Sequence, residues 1–473
     1  MIIHGATYGR ELPLNYNLGF ELEKKPLDII NRHSASGVTI RTLGCKVNQY
    51  ESDAIAQSLK AAGCILLHGE KNADLCIINT CTVTQKAAMQ SRQSIRQAIR
   101  NNPDARIIVT GCYAQVDPSE IKKIKGVHDI IGHADKHKIP EMIVSTEHVE
   151  PPHPVLTWRE ISDERAFSQM ADAAFGKRTR PFLKIQDGCN TFCSYCIVPY
   201  ARGRSRSMAI DNVLENIHNI QQAGFCEVVL TGVHLGAYGL DLLPKTNLFT
   251  LLKNIQASTA IERVRLSSIE PLELTQDIIQ LVAGSDRFCH HFHIPLQSGD
   301  DDILKKMNRP YTRTFFRNLV LKINALIPDA AIGVDALVGF PGETEAAFEN
   351  TYSLIQELPV TYLHVFPFSP RAGTPASQYP HKVPSKIIKT RCEKLRELGN
   401  VKKIDFYKNF LGQRLKVLIE SKRDSSTGYL KGLTSNYIPV LADHGNDLEN
   451  TMVQVRIDNI FNNRAVIGNI CDN

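Results

Sequence analysis

The sequence predicts a multidomain α/β protein, and three patterns along the chain support this fold class. From residue 38 onward, apolar strands alternate with helices, which is typical of an open parallel sheet. Residues 181–380 contain six further strand–helix repeats that fit a partial (β/α)6 barrel. From residue 411, short alternating segments separated by turns predict a small β-barrel.

The composition excludes several classes of protein. With 473 residues the chain is long enough for about three domains, and 43% hydrophobic and 22% charged residues are typical of a globular protein. It has no run of 18 apolar residues and no basic start followed by an apolar stretch, so neither membrane insertion nor secretion is expected. Twelve cysteines without an export signal favour a reducing compartment, and we predict a cytoplasmic protein.

The first folded part follows an N-terminal extension of unknown role, residues 1–37. Its periodicity predicts three strands and two helices, in the order 38–43 (strand), 51–62 (helix), 75–79 (strand), 85–101 (helix) and 107–110 (strand). Strands that alternate with helices of this length pair in parallel, so their carboxyl ends lie on one edge of the sheet.

Cysteines occupy that edge. Cys45, Cys81 and Cys112 each fall directly after a predicted strand, where open parallel sheets place ligand sites. Three thiolates there would hold an iron–sulfur cluster with one iron open. The alternative is that cysteine is a common buried residue, and we apply that interpretation to the cysteines without such positions: Cys64, Cys76, Cys226, Cys289, Cys392 and Cys471.

A second group of cysteines has the spacing C-x3-C-x2-C. Cys189, Cys193 and Cys196 supply three thiolates to a cubane cluster, which leaves one iron free to bind a substrate. A zinc knuckle is the alternative, but zinc prefers four ligands, and no fourth Cys or His lies within the next dozen residues.

Two resemblances arise from these motifs. The C-x3-C-x-aromatic-C run, with Tyr195 before the third cysteine, resembles the radical S-adenosylmethionine (SAM) enzymes. The runs at 42–49, 79–84 and 110–115, each around one of the first three cysteines, are similar to the N-terminal domain of the methylthiotransferases. The resemblance implies a Rossmann-like methylthiotransferase domain with an auxiliary cluster (38–145), a linker (146–180), a radical SAM domain (181–380), a basic helical connector (381–410) and a TRAM RNA-binding domain (411–473).

The residues after the first cysteine divide the family into branches. Leu43-Gly44-Cys45-Lys46-Val47-Asn48 resembles the branch that modifies N6-threonylcarbamoyladenosine in tRNA. The resemblance therefore implies addition of a methylthio group to C2 of that nucleoside at position 37. Isopentenyladenosine in tRNA and a ribosomal-protein side chain are the substrates of the other two branches and remain alternatives. Lys46 and Val47 carry most of this distinction.

The resemblance also implies a cofactor set: two 4Fe-4S clusters, held by the six cysteines, and SAM. One SAM would donate a methyl group to sulfur at the first cluster, and another would yield a radical at the second. Family motifs place further SAM contacts at the strand ends, among them a bidentate pair from Arg309 to the SAM carboxylate and adenine contacts around Val338 and Gly339. The implied cofactor-binding residues are Tyr195, Gly232, Ser268, Glu270, Gln297, Arg309, Val338, Gly339 and Phe366.

Charge is unevenly distributed. Residues 382–408 contain nine basic and three acidic side chains on a predicted helix, which is either an RNA contact or a solvated surface helix. Residues 414–472 contain seven of each sign, so the C-terminal domain has no overall positive field. Arg202, Arg204 and Arg206 follow the second cysteine group and are interpreted either as phosphate contacts or as structural loop residues.

The expected partners are the anticodon loop of tRNA, an electron donor such as flavodoxin or ferredoxin, and a sulfur donor, with the chain as a monomer. One rival function belongs to another class: a non-catalytic iron–sulfur protein that binds RNA and senses redox state. The SAM-type motifs between Thr231 and Arg309 argue against it. A zinc-containing RNA-binding protein is a weaker third interpretation.

Overall fold

The structure is a computed structural model that describes residues 37–67, 69, 71–145, 154–170, 178–443, 445 and 448–471. The predicted N-terminal extension therefore lies outside the described residues, apart from Gly37. Across the described part of the chain, no helix is long and apolar enough to cross a membrane.

The N-terminal domain is a parallel sheet with the strand order β2-β1-β3-β4-β5-β6. Its strands are β1 (Gly37–Thr42), β2 (Ile65–Leu66), β3 (Leu75–Thr80), β4 (Arg106–Gly111), β5 (Asp129–Ile131) and β6 (Val155–Thr157). Its helices are α1 (Lys46–Ala61), α2 (Gln85–Asn101), α3 (Cys112–Val116), α4 (Pro118–Lys122) and α5 (Ile139–Ser145).

Local sequence explains most of these elements. Every residue of β3 is buried, as expected of a central parallel strand covered on both faces. Helix α2 begins where the Thr84 hydroxyl accepts a hydrogen bond of 3.0 Å from the backbone N–H of Ala87. Helix α1 begins at Lys46, five residues before the predicted start. Strand β6 was missed, because three residues within a segment interpreted as a linker give no periodic signal.

The central domain contains a partial barrel of parallel strands and one short antiparallel pair. Its strands are β7 (Phe182–Lys184), β8 (Gln186–Asp187), β9 (Arg206–Ser207), β10 (Glu227–Thr231), β11 (Arg263–Leu266), β12 (His291–Gln297), β13 (Ala331–Val338) and β14 (Tyr362–Pro367). Its helices are α6 (Val198–Arg202), α7 (Ile210–Gln222), α8 (Leu248–Ser258), α9 (Gln276–Ala283), α10 (Asp301–Lys306), α11 (Arg313–Leu326) and α12 (Glu345–Glu357).

Six of these strands build the barrel wall. One parallel sheet has the order β11-β10-β7 and the other β12-β13-β14, and a parallel bridge from Val264 to Phe288 joins them. Leu183 and Leu230 lie in the hydrophobic core with the apolar side of α7, whereas Lys184, next to Leu183, and Glu227, three residues before Leu230, are buried polar residues. Because strand side chains alternate between faces, the barrel interior is polar. The predicted partial (β/α)6 barrel is confirmed.

The C-terminal domain is a closed five-stranded barrel, as predicted, with the order β15-β16-β17-β19-β18. Its strands are β15 (Arg414–Arg423), β16 (Leu430–Thr434), β17 (Pro439–Ala442), β18 (Met452–Phe461) and β19 (Ala465–Ile470). Helix α13 (Ser385–Lys408) precedes it and buries Leu395 and Leu398. Val401, further along the same helix, is 51% exposed.

Candidate functional site

Three cysteines converge at the carboxyl edge of the N-terminal sheet. Cys45 caps α1 after β1, Cys81 follows β3, and Cys112 begins α3 after β4. These three strands are neighbours in the sheet, so their loops lie side by side. Burial, with a contribution from the other two thiols, raises the pKa of Cys112 to about 12. We call Cys45, Cys81 and Cys112 the first triad.

The turns of the first triad require glycine. Gly44 has a φ of +99°, and a Cβ there would lie 2.9 Å from the Cys81 Sγ. Gly111 also has a φ of +99°, and its Cβ would lie 2.4 Å from the carbonyl oxygen of Thr80. The glycines therefore allow the loops to approach each other closely enough for the three sulfur atoms to face one site.

Hydrogen bonds fix these loops. The Asn48 amide donates to the carbonyl oxygens of Leu43 at 2.7 Å and Thr80 at 3.0 Å, which joins two cysteine loops. The Ser91 hydroxyl accepts from the N–H of Cys81 at 3.1 Å and donates to its carbonyl at 2.8 Å. His133 Nε2 lies 3.4 Å from the Cys112 Sγ.

A buried ion network lies beside the first triad and joins two domains. Its members are Glu51 and Lys136 from the N-terminal domain and Lys184, Asp187 and Arg202 from the barrel. The Arg202 guanidinium donates to Glu51 Oε1 at 3.0 Å, to Asp187 Oδ1 at 2.8 Å and to Asn48 Oδ1 at 2.5 Å. Although burial alone would raise it, Arg202, Lys136 and Lys184 hold the pKa of Glu51 well below its usual range.

The network decides between the two interpretations of Arg202 and Arg206. Arg202 is 2% exposed and Arg206 is 5% exposed, so neither side chain reaches RNA phosphates. Arg206 donates to the carbonyl oxygens of Arg202 and Arg204. Both arginines serve the structure, because carboxylates and carbonyl groups inside the protein bind them. Only Arg204 is exposed.

Cys189, Cys193 and Cys196, the second triad, lie on one loop after β8. The Cys189 Sγ lies 3.4 Å from His234 Nδ1, and the Arg309 guanidinium donates to the Cys193 Sγ at 3.3 Å. Although burial opposes the shift, the hydrogen bond with His234 lowers the pKa of the Cys189 thiol. Gly188 makes this loop possible, because a Cβ there would lie 1.9 Å from the Arg204 carbonyl oxygen.

His234 is a site residue that the sequence analysis missed. Its Nε2 lies 2.6 Å from Glu273 Oε1, so the imidazole bridges a carboxylate and the Cys189 thiol. Against the effect of burial, these two contacts raise the pKa of His234 to about 10. Its position two residues after Gly232, in the loop at the end of a strand, could have identified it as a site residue.

Both triads fit iron–sulfur clusters better than single ions. Among the described residues, the only group of three or more potential metal ligands with all ligand atoms within 4.8 Å of each other is His293, Asp335 and His364. The sulfur atoms of each triad are therefore spread more widely than one ion requires. A cluster of several irons is bound by thiolates at that wider spacing.

Several residues that were predicted to contact SAM bind other residues of the protein in this structure. Arg309 forms an ion pair with Glu270, and Ser268 hydrogen-bonds the imidazole of His293. The Val338 side chain is 1% exposed within the hydrophobic core, and the predicted adenine contact around Val338 and Gly339 stays a prediction. The Gly339 N–H donates to Glu343 Oε2 at 2.6 Å.

The other predicted contacts lie at the barrel mouth. Gly232 is packed against Gln186, which would be 2.9 Å from a Cβ at this position. Gln297 ends β12 with a φ of +62°. Tyr195 packs edge-on against Phe340, and Phe366 is 44% exposed at the end of β14. A role for these residues in SAM binding stays a prediction.

The barrel interior holds a polar cluster that no sequence motif indicated. His293 Nε2 and His364 Nδ1 lie 3.0 and 3.2 Å from Asp335 Oδ1. Although burial opposes it, hydrogen bonds from both imidazoles lower the pKa of Asp335 to about 2. These residues come from three adjacent strands, so only the barrel brings them together.

Comparisons with known proteins cover most of the chain. Residues 37–132 match a family described as Uncharacterized protein family UPF0004, and residues 183–355 match the Radical SAM superfamily. The chain is 39% identical to Threonylcarbamoyladenosine tRNA methylthiotransferase MtaB of Bacillus subtilis (strain 168), over 89% of this chain and 93% of that protein.

Two further proteins are similar. The chain is 36% identical to tRNA-2-methylthio-N(6)-dimethylallyladenosine synthase of Carboxydothermus hydrogenoformans (strain ATCC BAA-161 / DSM 6008 / Z-2901), over 88% of this chain and 96% of that protein. The fold of this chain is similar to that of the radical S-adenosylmethionine methyltransferase TsrM from Kitasatospora setae, solved with cobalamin and a 4Fe-4S cluster bound. That match has a TM-score of 0.53 and 15% identity, and covers 73% of this chain and 77% of the solved chain.

Proposed function

The chain belongs to the radical SAM methylthiotransferase family, and on this premise we propose that it adds a methylthio group to C2 of N6-threonylcarbamoyladenosine at position 37 of tRNA. One observation carries the proposal: two separate cysteine triads adjoin a single barrel, linked by the buried ion network. The second triad serves radical generation, and the first triad serves sulfur delivery. These two reactions make different demands on an open iron.

We assign one four-iron cluster to each triad, with SAM beside the second. When bound, these groups supply the radical and the sulfur for reaction at an aromatic C–H, which is too weak an acid for a side-chain base. The chain orients the thiolates. His234 and Arg309 hold Cys189 and Cys193, while Asn48, Ser91 and the buried ion network fix the loops of the first triad.

Exposed aromatic side chains support RNA as the substrate. Phe192 and Tyr200, on and after the loop of the second triad, are 47% and 43% exposed and pack edge-on at 5.9 Å between ring centroids. Phe366 is exposed at the barrel mouth, and Arg204 is exposed four residues after Tyr200. Single-stranded RNA is bound through unstacked bases that pack on such rings.

The proposal includes partners and boundaries. An external electron donor such as flavodoxin or ferredoxin supplies reducing equivalents, and a separate sulfur donor supplies the transferred atom. The enzyme acts as a cytoplasmic monomer on the tRNA anticodon loop. The predicted N-terminal domain, 38–145, also includes β6, which lies within the predicted linker 146–180. The other domains are 181–380, 381–410 and 411–473, and RNA is bound by local basic patches of the C-terminal barrel and by the exposed lysines of α13.

The test is an anaerobic assay. The reconstituted chain is incubated with SAM, a reductant and tRNA that carries N6-threonylcarbamoyladenosine, and nucleosides are analysed by mass spectrometry. We expect the methylthio nucleoside from the wild type and from Cys64→Ala, a thiol outside both triads, and none from Cys45→Ala. SAM cleavage without any methylthio nucleoside in the wild type would contradict the proposed substrate.

A further inference from the structure

A basic cavity lies where α1, the central barrel and the C-terminal barrel meet. Its volume is about 290 Å³, and its lining contains five basic side chains and one acidic side chain. The charged lining residues are Lys46, Arg178, Arg180, Arg265, Lys422 and Glu420. Such an excess of positive charge in a concave site favours an anionic ligand.

All three arginines of the lining have acidic partners. Arg180 pairs with Glu420 at 2.6 Å, and Arg178 lies 3.4 Å from Asp53. The Arg265 guanidinium donates to Glu227 Oε1 at 2.8 Å and to the carbonyl oxygens of two residues of the C-terminal barrel. Each guanidinium therefore already has a carboxylate beside it, although the buried Nε of Arg180 has no hydrogen-bond partner among the described residues.

Lys46 differs from them. Its ammonium lines the cavity and is partly buried, and it has no hydrogen-bonding or ionic partner among the residues that the structure describes. A desolvated cation without a partner costs free energy, and an anion in the cavity would offset that cost.

The cavity adjoins the place assigned to sulfur delivery. Lys46 directly follows Cys45 of the first triad, and consecutive Cα atoms are about 3.8 Å apart. Aromatic rings form part of its wall: Phe182 lines it, and Tyr437 stacks on His291 with 4.3 Å between ring centroids. A planar base and an attached anionic group are chemically suited to such surroundings.

We propose that Lys46 binds the carboxylate of the N6-threonylcarbamoyl group and so selects this substituent of the target adenosine. The inference rests on the proposed function. A dimethylallyl group has no anion and would leave the ammonium unpaired, and sites built for a polar group strongly reject analogues that lack it. The same ammonium would also attract an RNA phosphate, so the experiment must distinguish these two anions.

The experiment measures equilibrium binding at one fixed salt concentration. Cluster-reconstituted enzyme is titrated with three anticodon stem-loop RNAs: one with N6-threonylcarbamoyladenosine, one with its carboxyl methyl ester, and one with unmodified adenosine. The variants are Lys46→Met, which removes the charge and keeps an unbranched side chain one atom shorter, and Lys46→Arg, which keeps the charge. Lys60→Met is the matched control, since Lys60 is an exposed lysine of the same helix.

We expect Lys46→Met to weaken binding of the threonylcarbamoyl RNA about 10- to 100-fold, in line with the loss of a charge-assisted hydrogen bond. Binding of the ester and of unmodified RNA should change little. Lys46→Arg should restore most of the preference, which excludes general misfolding as the cause, and Lys60→Met should resemble the wild type.

Two results would overturn the inference. Equal weakening of all three RNAs by Lys46→Met would identify a phosphate as the bound anion, and unchanged binding would show that Lys46 binds no anion. The proposed function is judged separately by product formation in the wild type. A wild type that makes the methylthio nucleoside while Lys46→Met binds normally would refute only the role of Lys46.

Discussion

The two cysteine triads are constructed in opposite ways. Cys189, Cys193 and Cys196 lie on a single loop, so chain spacing alone brings them together. Cys45, Cys81 and Cys112 come from three loops, and only the parallel sheet makes them neighbours. The first triad therefore depends on tertiary packing, including the buried ion network, whereas the second depends mainly on local geometry. We therefore expect that substitutions can remove the iron of one triad and leave the iron of the other in place.

The largest effect should come from Arg202→Met. This change leaves Glu51 and Asp187 without their shared guanidinium in a buried site, and breaking a buried ion pair costs about 3–5 kcal/mol. We expect a lower free energy of unfolding in urea and preferential loss of iron from the first triad. Arg204→Met, at an exposed neighbouring position, is the control; equal stability of the two variants would show that the network does not hold the domains together.

A buried ion cluster outside both triads tests whether any loss of stability also causes loss of iron. Glu227 binds Arg263 and Arg265, which donate to carbonyl oxygens of the C-terminal barrel. Against the effect of burial, these arginines lower the pKa of Glu227 to about 2. We expect Glu227→Gln to cost about 3 kcal/mol of unfolding free energy at pH 7, with the iron content unchanged.

The difference in unfolding free energy between the wild type and Glu227→Gln depends on pH, because the pKa of Glu227 is lowered in the folded state. A depressed carboxyl pKa stabilises the folded state above the usual value near 4.5, and the contribution is lost as the pH falls toward 2. The gap between wild type and Glu227→Gln should shrink by about 1 kcal/mol between pH 7 and pH 4. A difference that is constant or grows toward pH 4 would contradict the lowered pKa of Glu227.

Glycine substitutions should separate the triads most clearly. Gly111→Ala would crowd the Thr80 carbonyl oxygen in the first triad, and Gly188→Ala would crowd the Arg204 carbonyl oxygen in the second. Each also forces alanine to a positive φ, so we expect a cost of about 2 kcal/mol and loss of iron from the affected triad only. Gly63→Ala has a positive φ but open space, and should keep all its iron.

The smallest effect concerns one hydroxyl. Ser91→Ala removes the acceptor of the Cys81 N–H and leaves that buried group without a partner, at a cost of about 1 kcal/mol. We expect slower reconstitution of the first triad, followed by iron absorbance over time, and unchanged reconstitution of the second. Equal slowing of both would show that Ser91 acts on general stability.

Much of the fold was predictable because the elements carry local signals. Helix α2 was predicted at its observed bounds from its helical periodicity, and the Thr84 cap seen in the structure fixes its first residue. Strands β3 and β4 are short apolar runs followed at once by cysteines, so their ends were predicted within one or two residues. The partial barrel and the C-terminal barrel were predicted from repetition.

The remaining site features depend on long-range packing. Arg202 belongs to an arginine-rich run that resembles a surface patch, and its partner Glu51 lies 151 residues away. His293, Asp335 and His364 come from three strands without a common motif. Burial and distant partners are set by the tertiary fold, so neither the ion network nor this polar cluster had a sequence signal.

The most direct test of two separable triads compares Cys112→Ala with Cys196→Ala. Iron content and SAM cleavage are measured for each reconstituted variant under reducing conditions. We predict that Cys112→Ala loses about half of the iron yet still cleaves SAM, whereas Cys196→Ala also loses about half of the iron and cleaves none. Loss of SAM cleavage in both variants, or a full complement of iron in either, would contradict the account.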